Sequence, residues 1–154
     1  MQTTSPDLIV AHFEGLMRNI TPSYTYVRDL AWTRIVDAPT TEEAASHELR
    51  RYVFGVGESR LTRDCYSGGE GYTFRLEVHA ACGGVGAEHL VYLVDADHLD
   101  LRQTFEDEVE PGTNGFGGIF RVDDLGFEVG TSTLSAEFAV HMFDVCYFRL
   151  TGLN

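Results

Sequence analysis

The stretch Tyr72-Thr73-Phe74-Arg75-Leu76-Glu77-Val78-His79-Ala80-Ala81-Cys82 alternates with period two. Tyr72, Phe74, Leu76, Val78, Ala80 and Cys82 point one way. Thr73, Arg75, Glu77, His79 and Ala81 point the other. This alternation predicts one long strand with a buried face. At ~3.3 Å per residue it spans about 36 Å, long for a small domain.

Upstream, Arg51 to Gly57 reads as a strand with Tyr52, Phe54 and Val56 on one side. It pairs antiparallel with the long strand. Between them lies the polar stretch Glu58 to Gly71, ending Ser67-Gly68-Gly69-Glu70-Gly71. A tight hairpin needs only about two to five residues, so this stretch is expected to be an oversized loop. Long loops on rigid strands project to touch something.

Downstream, Gly83-Gly84-Val85-Gly86 breaks the sheet and a helix runs from Ala87 to about Glu106. Leu90, Val94, Leu101 and Phe105 share one helical face. Asp95, Asp97, Asp100 and Glu106 load the rest with acid and read as a solvated outer face. Pro111-Gly112 and Gly115-Phe116-Gly117-Gly118 form a glycine-rich connection. Ile119 to Gly130 is a strand, bulged at Asp123-Asp124 or Gly126. Gly130-Thr131-Ser132-Thr133 is a turn. Leu134 to Leu150 is the last strand, with Phe138, Val140 and Met142 alternating against Glu137 and His141. Asp144 interrupts that pattern and marks a bulge.

At the other end, Ser5 caps a helix from Pro6 to Asn19, with Pro6 at the first helical position. Its stripe is Leu8, Ile9, His12, Phe13, Leu16 and Met17. Ser23 to Val36 reads two ways. Tyr24, Tyr26, Trp32 and Thr33 favour a strand, while Val27, Leu30 and Ala31 fit a helical face. The extended reading is taken. Ala38 to Arg50 is a short helix or a loop. The expected fold class is α+β: residues 1–154 form one domain with a single, mainly antiparallel sheet of four or more strands and helices packed on one face.

Composition narrows the function classes. The chain has 154 residues, 44% hydrophobic and 12% aromatic, which suits a globular core. The formal charge is -13, and every basic residue apart from histidine is arginine. That balance argues against gripping nucleic acid, which needs clustered positive charge. No apolar run is long enough for a bilayer, so no membrane association is expected. The first residues carry no basic region or signal core, so no secretion is expected. Cys65, Cys82 and Cys146 have no close spacing. Cys82 and Cys146 read as small buried hydrophobes in a reducing cytoplasm.

The search for chemistry finds no site. Gly83-Gly84-Val85-Gly86 lacks the lysine and hydroxyl of a phosphate loop and reads as a strand-to-helix turn. No histidines stand at the i, i+4 spacing of a helical zinc site. His79 and His141 read as neighbours on one sheet face, a surface pair rather than a metal site. Cys65 lies between Asp64 and Tyr66, where acid raises a thiol's pKa. No Gly-x-Ser-x-Gly elbow exists. No catalytic, metal or cofactor residue is assigned.

The arrangement resembles the tail terminator and tail-completion proteins of long-tailed bacteriophages. The pieces are the helix from Asp7 to Asn19 and the strand Arg51-Tyr52-Val53-Phe54-Gly55-Val56 followed by a long polar stretch. To these add Tyr72 to His79, the segment Asp95-Ala96-Asp97-His98-Leu99-Asp100-Leu101, and two final strands. The resemblance runs roughly from Arg50 to Leu150. It implies a non-enzymatic virion protein, assembled in the host cytoplasm, with six copies closing a ring on the tail tube. The implied partners are further copies of the chain, the tail tube protein and the head connector. DNA would pass through the lumen without specific binding. Six copies at -13 each would carry about -78, so the lumen is expected to be acidic. Arg60, Arg63, Asp64, Tyr66, Glu70, Arg75 and Glu77 are the candidate interface residues. The alternatives are another neck or head-completion protein, or a small α+β enzyme or ligand-binding domain with a pocket holding two or more of His79, His141 and Glu77.

Overall fold

The computed structural model describes residues 5–24, 30–36, 41–45, 47–66, 69–109, 118–131 and 137–150; at 41, 42, 63–66, 69 and 150 it describes the backbone alone. The element order is α1 (Pro6–Met17), β1 (Thr33–Arg34), α2 (Thr41–Ala45), β2 (Arg51–Val56), β3 (Arg60–Tyr66), β4 (Gly69–Ala81), α3 (Ala87–Glu106), β5 (Ile119–Thr131) and β6 (Glu137–Leu150). The fold is α+β. The strands form one six-stranded sheet in the order β1-β2-β4-β6-β5, with β3 also on β4.

The alternating stretch is the centre of this sheet. β4 begins three residues earlier than Tyr72 and ends one before Cys82. Phe74, Leu76, Val78 and Ala80 are buried, as the period predicts. β6 pairs with all thirteen residues of β4 without a slip, from Gly69↔Leu150 to Ala81↔Phe138. Residues opposite each other share a face. Val145, Phe143, His141 and Ala139 therefore lie on the core face, opposite Phe74, Leu76, Val78 and Ala80.

That register corrects three expectations. His141 is buried, and Phe138, Val140 and Met142 turn the other way. The hydropathy of β6 alone left its direction undetermined; β4 decides it. His79 stands opposite Val140, so His79 and His141 lie on opposite faces. Asp144 makes no bulge in the β4 pairing. It faces Arg75. The slips lie in β5, between Ile119 and Arg121 and between Asp124 and Phe127. Gly126, at φ +85, supplies the left-handed turn of the second one.

The polar stretch after Gly57 is not a loop but a strand. β3 pairs antiparallel with β4 from Arg60↔Thr73 to Tyr66↔Gly69. β2 pairs with the other half of β4, from Val56↔Leu76 to Tyr52↔Ala80. The two form one interrupted arm along the same side of β4. Between Val56↔Leu76 and Arg60↔Thr73 the arm advances four residues against three on β4. Between Leu61↔Tyr72 and Cys65↔Glu70 it advances four against two. These slips break the alternation that would have marked a strand in the sequence.

The sheet is mixed rather than mainly antiparallel, because β1 pairs parallel with β2. The residues between them include α2, and such a crossover connection permits a parallel pair. Among the described residues of the Ser23 to Val36 segment, only Thr33–Arg34 is strand; residues 25–29 lie outside them. Pro111, Gly112 and Gly115 to Gly117, with the turn from Ser132, also lie outside them.

α3 runs over the range its apolar spacing predicts. α1 stops at Met17, and its buried side chains are Ile9, Val10, Phe13 and Met17, with Leu8 exposed. The core cluster joins Ile9, Phe13 and Met17 to Leu101 and Phe105 of α3 and to Phe74, Leu76, Phe143 and Val145 of the sheet. Phe13 stacks on Phe105 with centroids 4.3 Å apart, and Phe105 meets Phe143 edge-on. Each such ring, fully buried, contributes about 1.5–3 kcal/mol.

Candidate functional site

Two polar constellations stand on this scaffold, one on each face of the sheet. On the face away from the core, Arg75 Nε donates to Asp144 Oδ1 at 3.1 Å. Arg60 of β3 approaches Asp144 Oδ2 at 3.6 Å. Asp144 is thus a hub between two arginines from different strands. Two residues along β4, Glu77 and His79 are hydrogen-bonded at 2.9 Å. Gly55, opposite Glu77, leaves room for this contact: a Cβ there would lie 3.0 Å from His79 Nε2. These pairs are partly exposed, so each contributes little to stability.

Of the seven candidate interface residues, the structure brings Arg60, Arg75 and Glu77 together on this outer face. Glu70 points to the other face, where the Tyr72 hydroxyl donates to it at 2.7 Å. That bond is the main reason the Tyr72 pKa is raised. Arg63, Asp64 and Tyr66 belong to β3, and their side chains lie outside the described ones. In sequence Asp144 reads only as the mark of a bulge, not as a partner of Arg75. Its signal was the single acid among outward positions 142, 144 and 146, but only the register aligns it with Arg75.

The second constellation is buried on the core side. Arg50 and Asp97 are both buried. Arg50 Nε donates to both Asp97 oxygens at 3.0 and 3.1 Å. Its two terminal nitrogens donate to the Leu30 and Tyr24 carbonyls, each at 3.0 Å. Arg50 has a positive φ of 63 and is held by backbone bonds to Ala81 and Thr33. One side chain therefore ties the segment before β1 to α3. Burial pushes the Asp97 pKa up to about 6, against the pull of Arg50. This overturns the expectation that Asp97 belongs to a solvated outer face. The signal was present: Asp97 lies three residues after Val94 and four before Leu101, inside the apolar stripe.

Beside it, His98 Nε2 lies 2.6 Å from Asp124 Oδ1, and its Nδ1 lies 3.1 Å from His141 Nδ1. The carboxylate can only accept, so His98 Nε2 carries a proton, and one of the two Nδ1 atoms donates to the other. Burial, then the nearby His98, lowers the His141 pKa to about 3. Burial opposes ionisation of Asp124, but the Gly126 N–H, His98 and Arg102 outweigh it and lower its pKa. The chain Asp124–His98–His141 clamps α3 onto β5 and β6.

Cys82 and Cys146 are buried and free, as their placement predicts. Burial pushes the Cys82 thiol up to about 12. Cys146 Sγ lies 3.2 Å from the Thr73 hydroxyl. Among the described residues, no group of three or more His, Cys, Asp or Glu is arranged to hold a metal ion. Among them, too, no helix is long and apolar enough to cross a membrane. An open cleft of about 520 Å³ lies beside β1, lined by Arg34, Ile35, Val36, His47, Glu48 and Arg51. His79 and Glu77 do not share a pocket with His141, which lies across the sheet. No protein-family model matches the chain, and no curated protein matches it.

Proposed function

We propose that this chain is a virion structural protein at the head–tail junction of a tailed bacteriophage. In this reading it is the tail terminator, and six copies close a ring that caps the tail tube and joins it to the head connector. The work is done by surfaces, with no catalysis and no cofactor.

The observation that carries the reading is the sheet itself. Its outer face bears the Arg60–Asp144–Arg75 and Glu77–His79 contacts, and the long β2–β3 arm with β4 extends that face. Shared core contacts of α1 and α3 support a layered domain with both helices on the opposite face. Such a domain offers one broad sheet face and its edges to neighbours. The charge of -13 supports an acidic lumen that passes DNA without gripping phosphates.

The test is incubation of the purified chain with polymerising tail tube subunits, followed by electron microscopy. The expected result is tubes capped at one end whose growth stops. Tubes that elongate unchanged while the chain is captured by connector alone would move it to another neck position. Binding to neither would overturn the reading.

A further inference from the structure

α3 turns its core side inward through Leu93, Val94, Leu101 and Phe105. Its opposite side is exposed, and not only at polar positions. Val91 is 64%, Tyr92 63% and Leu99 51% exposed. Leu99 follows Tyr92 by seven residues and Val91 by eight, so the three lie on one stripe. Three of the nine large hydrophobics exposed among the described residues stand on this single stripe. Apolar residues scattered singly over a surface need no explanation, whereas a contiguous group marks a contact.

A carboxylate stands in the middle of the stripe. Asp95 is four residues after Val91, three after Tyr92 and four before Leu99, so it neighbours all three on the helix surface. It is exposed, and among the described residues it has no ion pair and no side-chain hydrogen bond. Other acids of α3 have a local reason. Asp97 holds Arg50, Asp100 accepts from Ser23, and Glu106 accepts from Arg102 Nε at 2.9 Å. Glu88 stands in the first turn, where the helix dipole favours an acid. Asp95 has none of these. The arginine of α3, Arg102, lies seven residues further on and is directed to Glu106 and, at 3.6 Å, to Asp124.

These features constrain what can cover the stripe. Any surface packed on Val91, Tyr92 and Leu99 takes Asp95 out of water as well. An ionised carboxylate buried without a partner is costly, so the covering surface must bring a cation to that point. A second copy of α3 brings none. Laid antiparallel with Val91 against Leu99, or parallel in register, it sets Asp95 against Asp95. A cation placed at Asp95 also comes within reach of the Tyr92 ring, which attracts it. The shape of the stripe points to a helix. Val91, Asp95 and Leu99 form one row at i, i+4 spacing, and such a ridge seats in the groove between equivalent rows of a second helix.

We infer that the exposed stripe of α3 docks a helix of another protein in which an arginine or lysine stands among apolar residues. The cation pairs with Asp95, and the apolar residues on either side of it pack on Val91, Tyr92 and Leu99. The inference goes beyond the ring reading and does not depend on it. In that reading the outer face of the sheet meets neighbouring copies, and the stripe remains for a different protein.

The test uses three synthetic peptides on an alanine–glutamine frame, each about 20 residues, long enough to form a helix alone. All carry leucines on one face and differ only in the central residue of that face, which is arginine, glutamine or glutamate. Each is titrated into the nitrogen-15-labelled chain while amide chemical shifts are followed. The arginine peptide is expected to give saturable shifts centred on Val91 to Leu99. It should bind at least about fivefold more tightly than the glutamine peptide, and the glutamate peptide should bind least. Asp95→Arg should reverse that order, and Leu99→Ser should weaken all three peptides. Both positions are exposed, and the dispersion of the amide spectrum shows whether each variant is folded. Asp95→Asn, which should erase the difference between the arginine and glutamate peptides, serves if Asp95→Arg is not. Equal binding of the three peptides, shifts centred elsewhere, or no saturable binding of the arginine peptide would overturn the inference. So would concentration-dependent shifts of the same α3 amides in the chain alone, which would assign the stripe to a second copy. A chain that caps tail tubes but binds no peptide would keep the ring reading and defeat this one.

Discussion

Acid should probe His141 more sharply than any other group. Its pKa falls from 6.5 to about 3 in the folded chain, first through burial and then through His98. The groups that face it are His98 from α3, Asp124 from β5 and, through the sheet, His79 from β4. Below pH 6.5 the unfolded chain takes up a proton that the folded chain refuses, so stability falls as pH falls through that window. Between pH 7 and pH 5 this costs about 2 kcal/mol. Asp97 acts in the opposite direction. Its folded pKa, about 6, is above the unfolded 3.8, so it stabilises the fold as pH falls, by about 1 kcal/mol over the same interval. The wild type should therefore change little between pH 7 and 5. His141→Phe keeps an aromatic ring against Trp32 and Phe127 but removes the proton site. Whatever its stability at pH 7, that variant should lack the His141 loss, so the two chains' changes should differ by about 2 kcal/mol. Urea unfolding at pH 7 and 5 for both chains measures this directly. Parallel changes, within about 0.5 kcal/mol, would show that His141 does not enter the native state as the neutral base described.

Asp97→Ala leaves the Arg50 guanidinium buried without its carboxylate, and urea unfolding should show a loss of about 3–5 kcal/mol. The double variant Arg50→Met, Asp97→Leu should recover much of that loss; a double no more stable than the single would refute the assignment. Gly126→Ala meets no atom within 4 Å, so its cost is backbone strain at φ +85 alone. Thermal unfolding should register about 1 kcal/mol or more, and an unchanged midpoint would contradict the bulge geometry. Cys82 and Cys146 should resist a thiol reagent in the native state and label once urea unfolds the chain. Peptide mapping by mass spectrometry resolves each site, and rapid native labelling of Cys82 would contradict its burial.

How much was legible depends on which residues define each element. The eleven-residue alternation and the apolar spacing of α3 both repeat over several periods, so their type and extent followed from sequence. β3 did not, because one register slip just before it and another inside it destroy a period-two pattern. β6 was recognised as a strand but given the wrong inward face. Both of its alternations carry large side chains: Phe138, Val140 and Met142 on one, Ala139, His141 and Phe143 on the other. Only pairing with β4 chooses between them. Asp97 shows the reverse case, a position whose helical spacing said buried while its charge said exposed.

The sequence by itself determined an α+β chain with a long central strand, a covering helix, two buried cysteines and a strong acidic excess. These follow from local periodicity and composition, which need no partner strand. Only the tertiary structure decided which faces of β4 and β6 coincide, that Asp144 gathers Arg60 and Arg75, and that Arg50 meets Asp97 inside the core. It alone decided that an apparent loop completes an arm along β4. Each of these depends on register between segments far apart in the chain. Register is set by packing across strands, which no local pattern records.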